Sequence, residues 1–207
     1  MSKTKKLILE KSLELFNSKG ISNVSLRDIA DKSDISIGNL QYHFKKRKYV
    51  IESLYFQLVN EIDNVIFINE ESLLKSFFLI STKMLTMFFE YRFFLLDFVF
   101  IIRNNEKIRN HYSELSKKRE KEFLTIANIF IENDVFRKEI LKNEYYGLYK
   151  RTEVISNFWF STILIQNNKL SLKAINEYSF LVSQSIYPYL TNKTKEEYKS
   201  IFNSQFI

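Results

Sequence analysis

Apolar residues recur at three- and four-residue intervals along most of the chain, the spacing that gathers them on one face of an α-helix. Ile8, Leu9, Ser12, Leu13 and Phe16 mark the first such face and predict a helix from about Thr4 to Lys19, stopped by Gly20. Leu26, Ile29 and Ala30 form a second, narrower face with one small residue over which another helix can approach closely. Leu40 and Phe44, four residues apart, predict a third helix beginning at Ile37. A fourth starts at Lys45 to Lys48 and carries Val50, Leu54, Phe56, Leu58 and Ile62 toward about Asn69.

The pattern continues without a strand-like stretch. Glu71 and Ser72 open a helix carrying Leu74, Phe77, Phe78, Leu85, Phe88 and Phe89. Tyr91 to Arg103 is apolar on nearly every side, which predicts one buried helix, broken at Asn104 and Asn105. Glu106 to Glu132 is a long regular helix with Ile108, Tyr112, Leu115, Phe123, Ile126 and Phe130 in one stripe. Its mixed charge run, residues 117–122, reads as a solvated face. Residues 133–143 are polar and irregular, a loop with a helical turn. Glu144 to Gln166 is the next helix, its second half apolar nearly all round. Ser171 caps a helix over Leu172 to Ile186 that stops near Pro188, and Thr194 with Glu197 makes a capping box for a terminal helix. Three glycines and one proline are too few to punctuate a sheet protein with many turns. The expected fold is all-α, with a three-helix helix-turn-helix domain over residues 1–50 and a larger helical domain over 51–207.

Local chemistry in residues 24–48 is the most specific part of the chain. Ser25 is placed to cap the second helix, and Asp28 to reach back and close a capping box. Ser33-Asp34 makes a tight turn, where Asp tolerates a left-handed backbone. Ser36 is a good N-cap for the third helix, and Ile35 anchors the turn. Leu40 and Phe44 face inward, leaving Ile37, Gly38, Asn39, Gln41 and Tyr42 to face elsewhere. Two short helices so joined are a helix-turn-helix, whose second helix enters a DNA major groove.

Charge sharpens that reading. Of a net +7, residues 1–50 hold +6, with eleven Lys and Arg against five Asp and Glu. A basic excess on a small helical unit is the electrostatic footprint of a nucleic-acid binder. Ser2 to Lys6 reads as a basic arm able to lie along phosphates. The absence of cysteine excludes disulfides and thiolate metal sites and suits a cytoplasmic protein. No signal-peptide core is visible, and the longest apolar run, residues 93–102 with Asp97 inside it, is half the ~20 residues a bilayer span needs.

ILEKSLELF followed by Gly20, then SLRDIA, then IGNLQYHFKKRK resembles the N-terminal domain of TetR/AcrR-type transcriptional repressors over about the first 55 residues. The resemblance implies phosphate contacts from Tyr42 and Arg47, with Lys45 and Lys48 nearby. It implies base-edge contacts from Ile37, Gly38, Asn39 and Gln41, with Ser25 and Arg27 contributing from the preceding helix. His43 packs or touches phosphate in the same scheme. Two departures stand out: Asp34 replaces the family's usual turn glycine, and Leu40-Gln41 replaces an aromatic or Leu-Tyr pair, so no known operator carries over. A glutamine at position 41 pairs bidentately with adenine N6 and N7 if it reaches a base edge; otherwise it meets phosphate or water.

The resemblance further implies a repressor that binds double-stranded DNA as a homodimer and responds to a small apolar or aromatic effector in its larger domain. Candidate effector contacts are Phe88, Asp97, His111, Tyr112 and Trp159. Asp97, alone in an apolar run, either pairs with Arg92, Arg103 or Arg119 or lines the effector pocket. His111 is expected to be exposed or capping rather than ligating. The apolar helices Ile155 to Ile165 and Leu172 to Ile186 are the expected dimer face. No catalytic constellation, cofactor motif or metal-ligand cluster appears, so the chain reads as a non-enzyme. The alternative is a helical adaptor whose basic end binds a protein or an anionic surface.

Overall fold

The computed structural model describes residues 2–65, 72–167, 170–171, 178 and 181–205. Among these the chain is helical, with a single isolated bridge between Phe136 and Leu190. The helices are α1 (Lys3–Lys19), α2 (Leu26–Lys32), α3 (Ile37–His43), α4 (Arg47–Asp63), α5 (Leu73–Glu90), α6 (Arg92–Leu96), α7 (Phe98–Asn104), α8 (Glu106–Glu132), α9 (Glu144–Asn167) and α10 (Asn192–Gln205). Residues 181–186 are also helical. Packing groups them into two units, residues 1–64 with 87–112, and residues 65–86 with 113–207. In that grouping α4 stays with α1 throughout, and α6 and α7 join the same unit.

In the first unit α1 buries Ile8, Leu9, Ser12, Leu15 and Phe16, so Leu15 takes the inward place expected for Leu13. Ser2 is its N-cap, its hydroxyl accepting from the Lys5 amide at 3.3 Å. Lys3 to Lys6 therefore form the first turn of α1. Gly20 ends α1 at φ +75°, a left-handed value that strains any residue with a Cβ, and a 3₁₀ turn over Ile21–Asn23 leads to α2.

The expected single helix over Tyr91 to Arg103 is two. Asp97 leaves the helical region (φ −100°, ψ +18°) and ends α6 where α7 begins. Its carboxylate accepts from the Ile21 amide at 3.1 Å, and among the described residues no arginine pairs with it. Splitting the run gives each half its own inward face. Phe93, Phe94, Leu95 and Ile101 are buried, while Val99 and Phe100 stand about half exposed.

The second unit has a core drawn from α5, α8, α9 and α10, centred on Leu74, Phe78, Phe130, Leu148 and Ile201. Helix α8 has the expected bounds. Residues 133–143 form a loop with hydrogen-bonded turns at 133–134 and 142–143, and Phe136 from it is buried. Arg137 holds Glu144 through two bonds of 2.7 and 2.9 Å, keeping that carboxyl well below its ordinary range, at about 2. The terminal helix is capped by Thr191, not Thr194: the Thr191 hydroxyl accepts from the Thr194 amide at 3.3 Å. The Thr194 hydroxyl is occupied instead on the Asp134 carbonyl, at 3.2 Å.

Along α9 the dimer-face reading needs correction in part. Trp159 and Phe160 are buried within the chain, Phe160 completely, with Trp159 stacked flat on Tyr178 at 3.9 Å. An apolar-all-round helix has a second face, and here it carries Val154, Ile155, Phe158 and Ile165, the last 85% exposed. Most of Leu172 to Ile186 lies outside the described residues; within it Tyr178 and Ile186 are buried and Leu181 is exposed.

A candidate nucleic-acid interface

The turn between α2 and α3 is built by side chains that saturate the helix ends. Ser25 Oγ accepts from the Asp28 amide at 3.2 Å, and Asp28 Oδ2 accepts from the Ser25 amide at 2.7 Å and from its hydroxyl at 2.6 Å. The capping box is complete, and Ser25 lowers the Asp28 pKa. Asp34 sits at φ +52°, the left-handed conformation that the family's glycine would supply without strain. Ile35 is half-buried and donates its amide to the Ala30 carbonyl at 3.1 Å, which closes the turn. Ser36 Oγ then accepts from the Asn39 amide at 3.1 Å and starts α3.

Helix α3 has one buried side chain, Leu40, with Phe44 buried just beyond its end. Gly38, Asn39, Gln41 and Tyr42 are exposed, Tyr42 to 83%, and Ile37 is half-buried. A Cβ at Gly38 would meet nothing closer than Ser36 Oγ at 4.0 Å, so the fold does not require glycine there. Ser25, Arg27 and Lys45 are also exposed. His43 is half-buried with its ring edge-on to Tyr42, centroids 5.1 Å apart.

Arg47 has a structural duty not visible in the sequence. Its Nη1 donates to the Val24 carbonyl at 2.7 Å, tying the start of α4 to the residue that leads into α2. An open groove of about 730 Å³ runs beside the same helices, lined by Tyr42, His43, Lys45, Tyr49 and Phe56, with Lys5 and Lys107 among its cations. Sequence spacing gave no signal for Tyr49 or Lys107, because they come together only through packing of α4 and α8 within this unit.

The candidate effector residues do not form one cluster within a unit. Phe88, Asp97, His111 and Tyr112 belong to the first unit and Trp159 to the second. His111 is neither exposed nor capping. Its Nδ1 lies 2.8 Å from the Tyr55 hydroxyl, and its ring packs edge-on against Tyr55 and Phe56. Burial of Tyr55 raises that hydroxyl's pKa, so the phenol stays protonated. Tyr112 packs edge-on against Phe98, centroids 4.9 Å apart. Among the described residues no group of His, Cys, Asp and Glu could hold a metal ion, and no helix is long and apolar enough to cross a membrane.

Two family profiles together cover most of the chain. "Bacterial regulatory proteins, tetR family" matches residues 8–54, and "Bacterial transcriptional repressor" matches residues 57–198. The chain belongs to the TetR family. As a TetR-family transcriptional regulator it is not an enzyme, and the profiles meet between residues 54 and 57, inside α4. A "Probable HTH-type transcriptional regulator YttP" of Bacillus subtilis (strain 168) is 39% identical over 51 residues, a quarter of each protein. Among solved structures, a TetR-family transcriptional regulator from Marinobacter aquaeolei VT8 is similar over 99% of this chain and 98% of its own, at TM-score 0.87 and 22% identity. The ketosteroid transcriptional regulator KstR2 of Mycobacterium tuberculosis is similar over 93% of this chain and 97% of its own, at TM-score 0.63 and 14% identity. These likenesses concern the fold.

Proposed function

We propose that this TetR-family regulator is a cytoplasmic repressor that binds a palindromic operator as a homodimer and leaves it when a small apolar or aromatic effector binds. The observation that carries the reading is the outward face of α3. It presents Gly38, Asn39, Gln41 and Tyr42 to solvent on a helix held at its start by Ser36 and anchored by Leu40. Asn39 and Gln41 read base edges from that face, with Ile37 and Gly38 admitting the helix closely and Arg27 and Ser25 adding contacts from α2. Tyr42, His43, Lys45 and Arg47 hold phosphates and set the register, a role that carries no sequence information.

The exposed apolar side of α9, with Ile155, Phe158 and Ile165, supports pairing of two copies, since a single half-site is too short to be specific. An apolar effector is supported by the aromatic content of the chain and by the structural likeness to the KstR2 ketosteroid regulator and to SmeT, solved as a triclosan complex. An effector releases DNA only by favouring one state of the protein over the other. The test is in-vitro selection of binding sites from random duplexes at fixed salt. A two-fold symmetric motif is expected, and binding without any sequence preference would end the operator reading in favour of a basic adaptor.

A further inference from the structure

Within the first unit, the DNA-binding helices are joined to α6 and α7 by an exchange of caps. The side-chain amide of Asn17, near the end of α1, donates to the Glu90 carbonyl at 2.6 Å and accepts from the Phe93 amide at 3.0 Å. One side chain thus satisfies an end of α5 and an end of α6, groups that a helix cannot satisfy internally. The favour is returned at the next joint. Asp97, between α6 and α7, accepts from the Ile21 amide that opens the 3₁₀ turn after α1. Helix α4 adds three ties: Tyr91 donates to Glu61 at 2.7 Å, Asn105 donates to the buried Glu52 at 3.1 Å, and the Tyr55 hydroxyl shares a hydrogen bond of 2.8 Å with His111 Nδ1. Phe93 rests on Phe16 and Phe94 on Tyr55, with centroids 5.5 and 5.0 Å apart.

We infer that Asn17 and Asp97 are positioning residues that make α6 and α7 part of the DNA-reading body, so that α1 to α4 do not move separately from them. This rests on the operator reading above and specifies its regulation. All three α4 ties lie between Glu52 and Glu61, so α4 is held in the same body up to its last turn. The chain passes from one unit to the other at residues 64–65, 86–87 and 112–113, so an effector's influence enters this body at those crossings. Asn17 and Asp97 touch no DNA in this scheme. They fix the arrangement in which α2 and α3 meet it.

The chain has no cysteine, which makes a cross-link test clean. Asn17→Cys with Glu90→Cys replaces one tie by a disulfide that can be made and broken in the same protein. The oxidised form should bind the selected operator within about twofold of wild type and with the same half-site spacing. The reduced form, lacking the tie, should bind about threefold or more weakly, since apparent affinity falls with the fraction of molecules in the competent arrangement. Loss of about tenfold on oxidation, reversed by reductant, would show that α1 must move against α5 and α6, and would overturn the inference. A second arm needs no DNA. In Asp97→Ala, amide exchange should quicken in α1 and α6 together, while Asp97→Asn, which keeps an acceptor oxygen for Ile21, restores protection. Quickening confined to Ile21 would reduce Asp97 to a local cap. Failure of the wild type to select any motif would remove the operator reading, and the exchange result would still decide whether the two helices act as one body.

Discussion

Helices α3 and α9 each turn a face outward, and the two faces are chemical opposites. On α3 the outward side chains are Asn39, Gln41 and Tyr42, short polar groups with donors and acceptors at their tips, beside a glycine. On α9 they are Val154, Ile155, Phe158 and Ile165. Water satisfies the first set well, so its exposure costs little until a partner offers matching polar edges. Water serves the second set poorly, and burying apolar surface contributes about 25 cal/mol per Å². One face suits a hydrated groove and the other suits a second apolar surface. The inward residues differ to match. Helix α3 is held by Leu40 alone, with Phe44 beyond its end, whereas α9 is fixed by Trp159 and Phe160.

The largest effect should come from confusing the two sides of α9. Phe160→Glu places a carboxylate in a fully buried site and should cost about 3–5 kcal/mol or prevent folding, read by thermal melting. Ile165→Glu, on the exposed side, should leave the melting temperature of the monomer nearly unchanged while light scattering shows loss of the dimer. If both variants melt as wild type and remain dimeric, the assignment of inner and outer faces on α9 is wrong.

That contrast also marks what the sequence could and could not disclose. Caps within three residues were legible, because Ser25, Asp28 and Ser36 act on backbone groups of their own helix start. Asp97 was not, because its partner at Ile21 lies 76 residues away and an apolar run with one carboxylate looks continuous until that partner is known. Phe160 was misplaced because a helix that is apolar all round carries no signal for which side the chain itself covers. Thr194 satisfied the spacing of a capping box, yet Thr191 wins the cap, because both hydroxyls fasten on the Asp134 carbonyl and fix where the helix begins.

On α3 the next effect down is Gln41→Ala. If the amide meets an adenine edge, operator affinity should fall by about 1–3 kcal/mol, with preference relaxed at one base pair per half-site. Binding to random DNA should hardly change. Repeating the selection with the variant checks this, and an unaltered motif would remove Gln41 from the reading set and leave Asn39.

Phosphate contacts should behave otherwise. Lys45→Ala should weaken operator and random duplexes alike, with the salt slope reduced by about 1. Arg47→Ala should do the same and also lower stability by about 1 kcal/mol, since the Val24 carbonyl loses its donor. Comparing denaturant midpoints of the two variants separates the phosphate role of Arg47 from its tie. A collapse in operator affinity with random binding intact would contradict the phosphate assignment for both.

The smallest effect is the most discriminating, because folding and binding should move in opposite directions. Gly38 lies within α3 without the positive φ that would demand glycine, and a Cβ there has room inside the protein. Alanine is favoured over glycine by about 1 kcal/mol in a helix interior and by less in the first turn, where Gly38 sits, so Gly38→Ala should raise the denaturant midpoint slightly. The added methyl projects from the side of α3 that Asn39, Gln41 and Tyr42 also occupy. If that side lies against base edges, the methyl must push the helix outward, and operator affinity should drop several-fold while the protein becomes more stable. A residue serving only the fold would improve or leave both quantities. Chemical denaturation and operator titration on one preparation give the two signs directly, and a variant that is more stable and binds as tightly as wild type would mean that α3 does not approach DNA at Gly38.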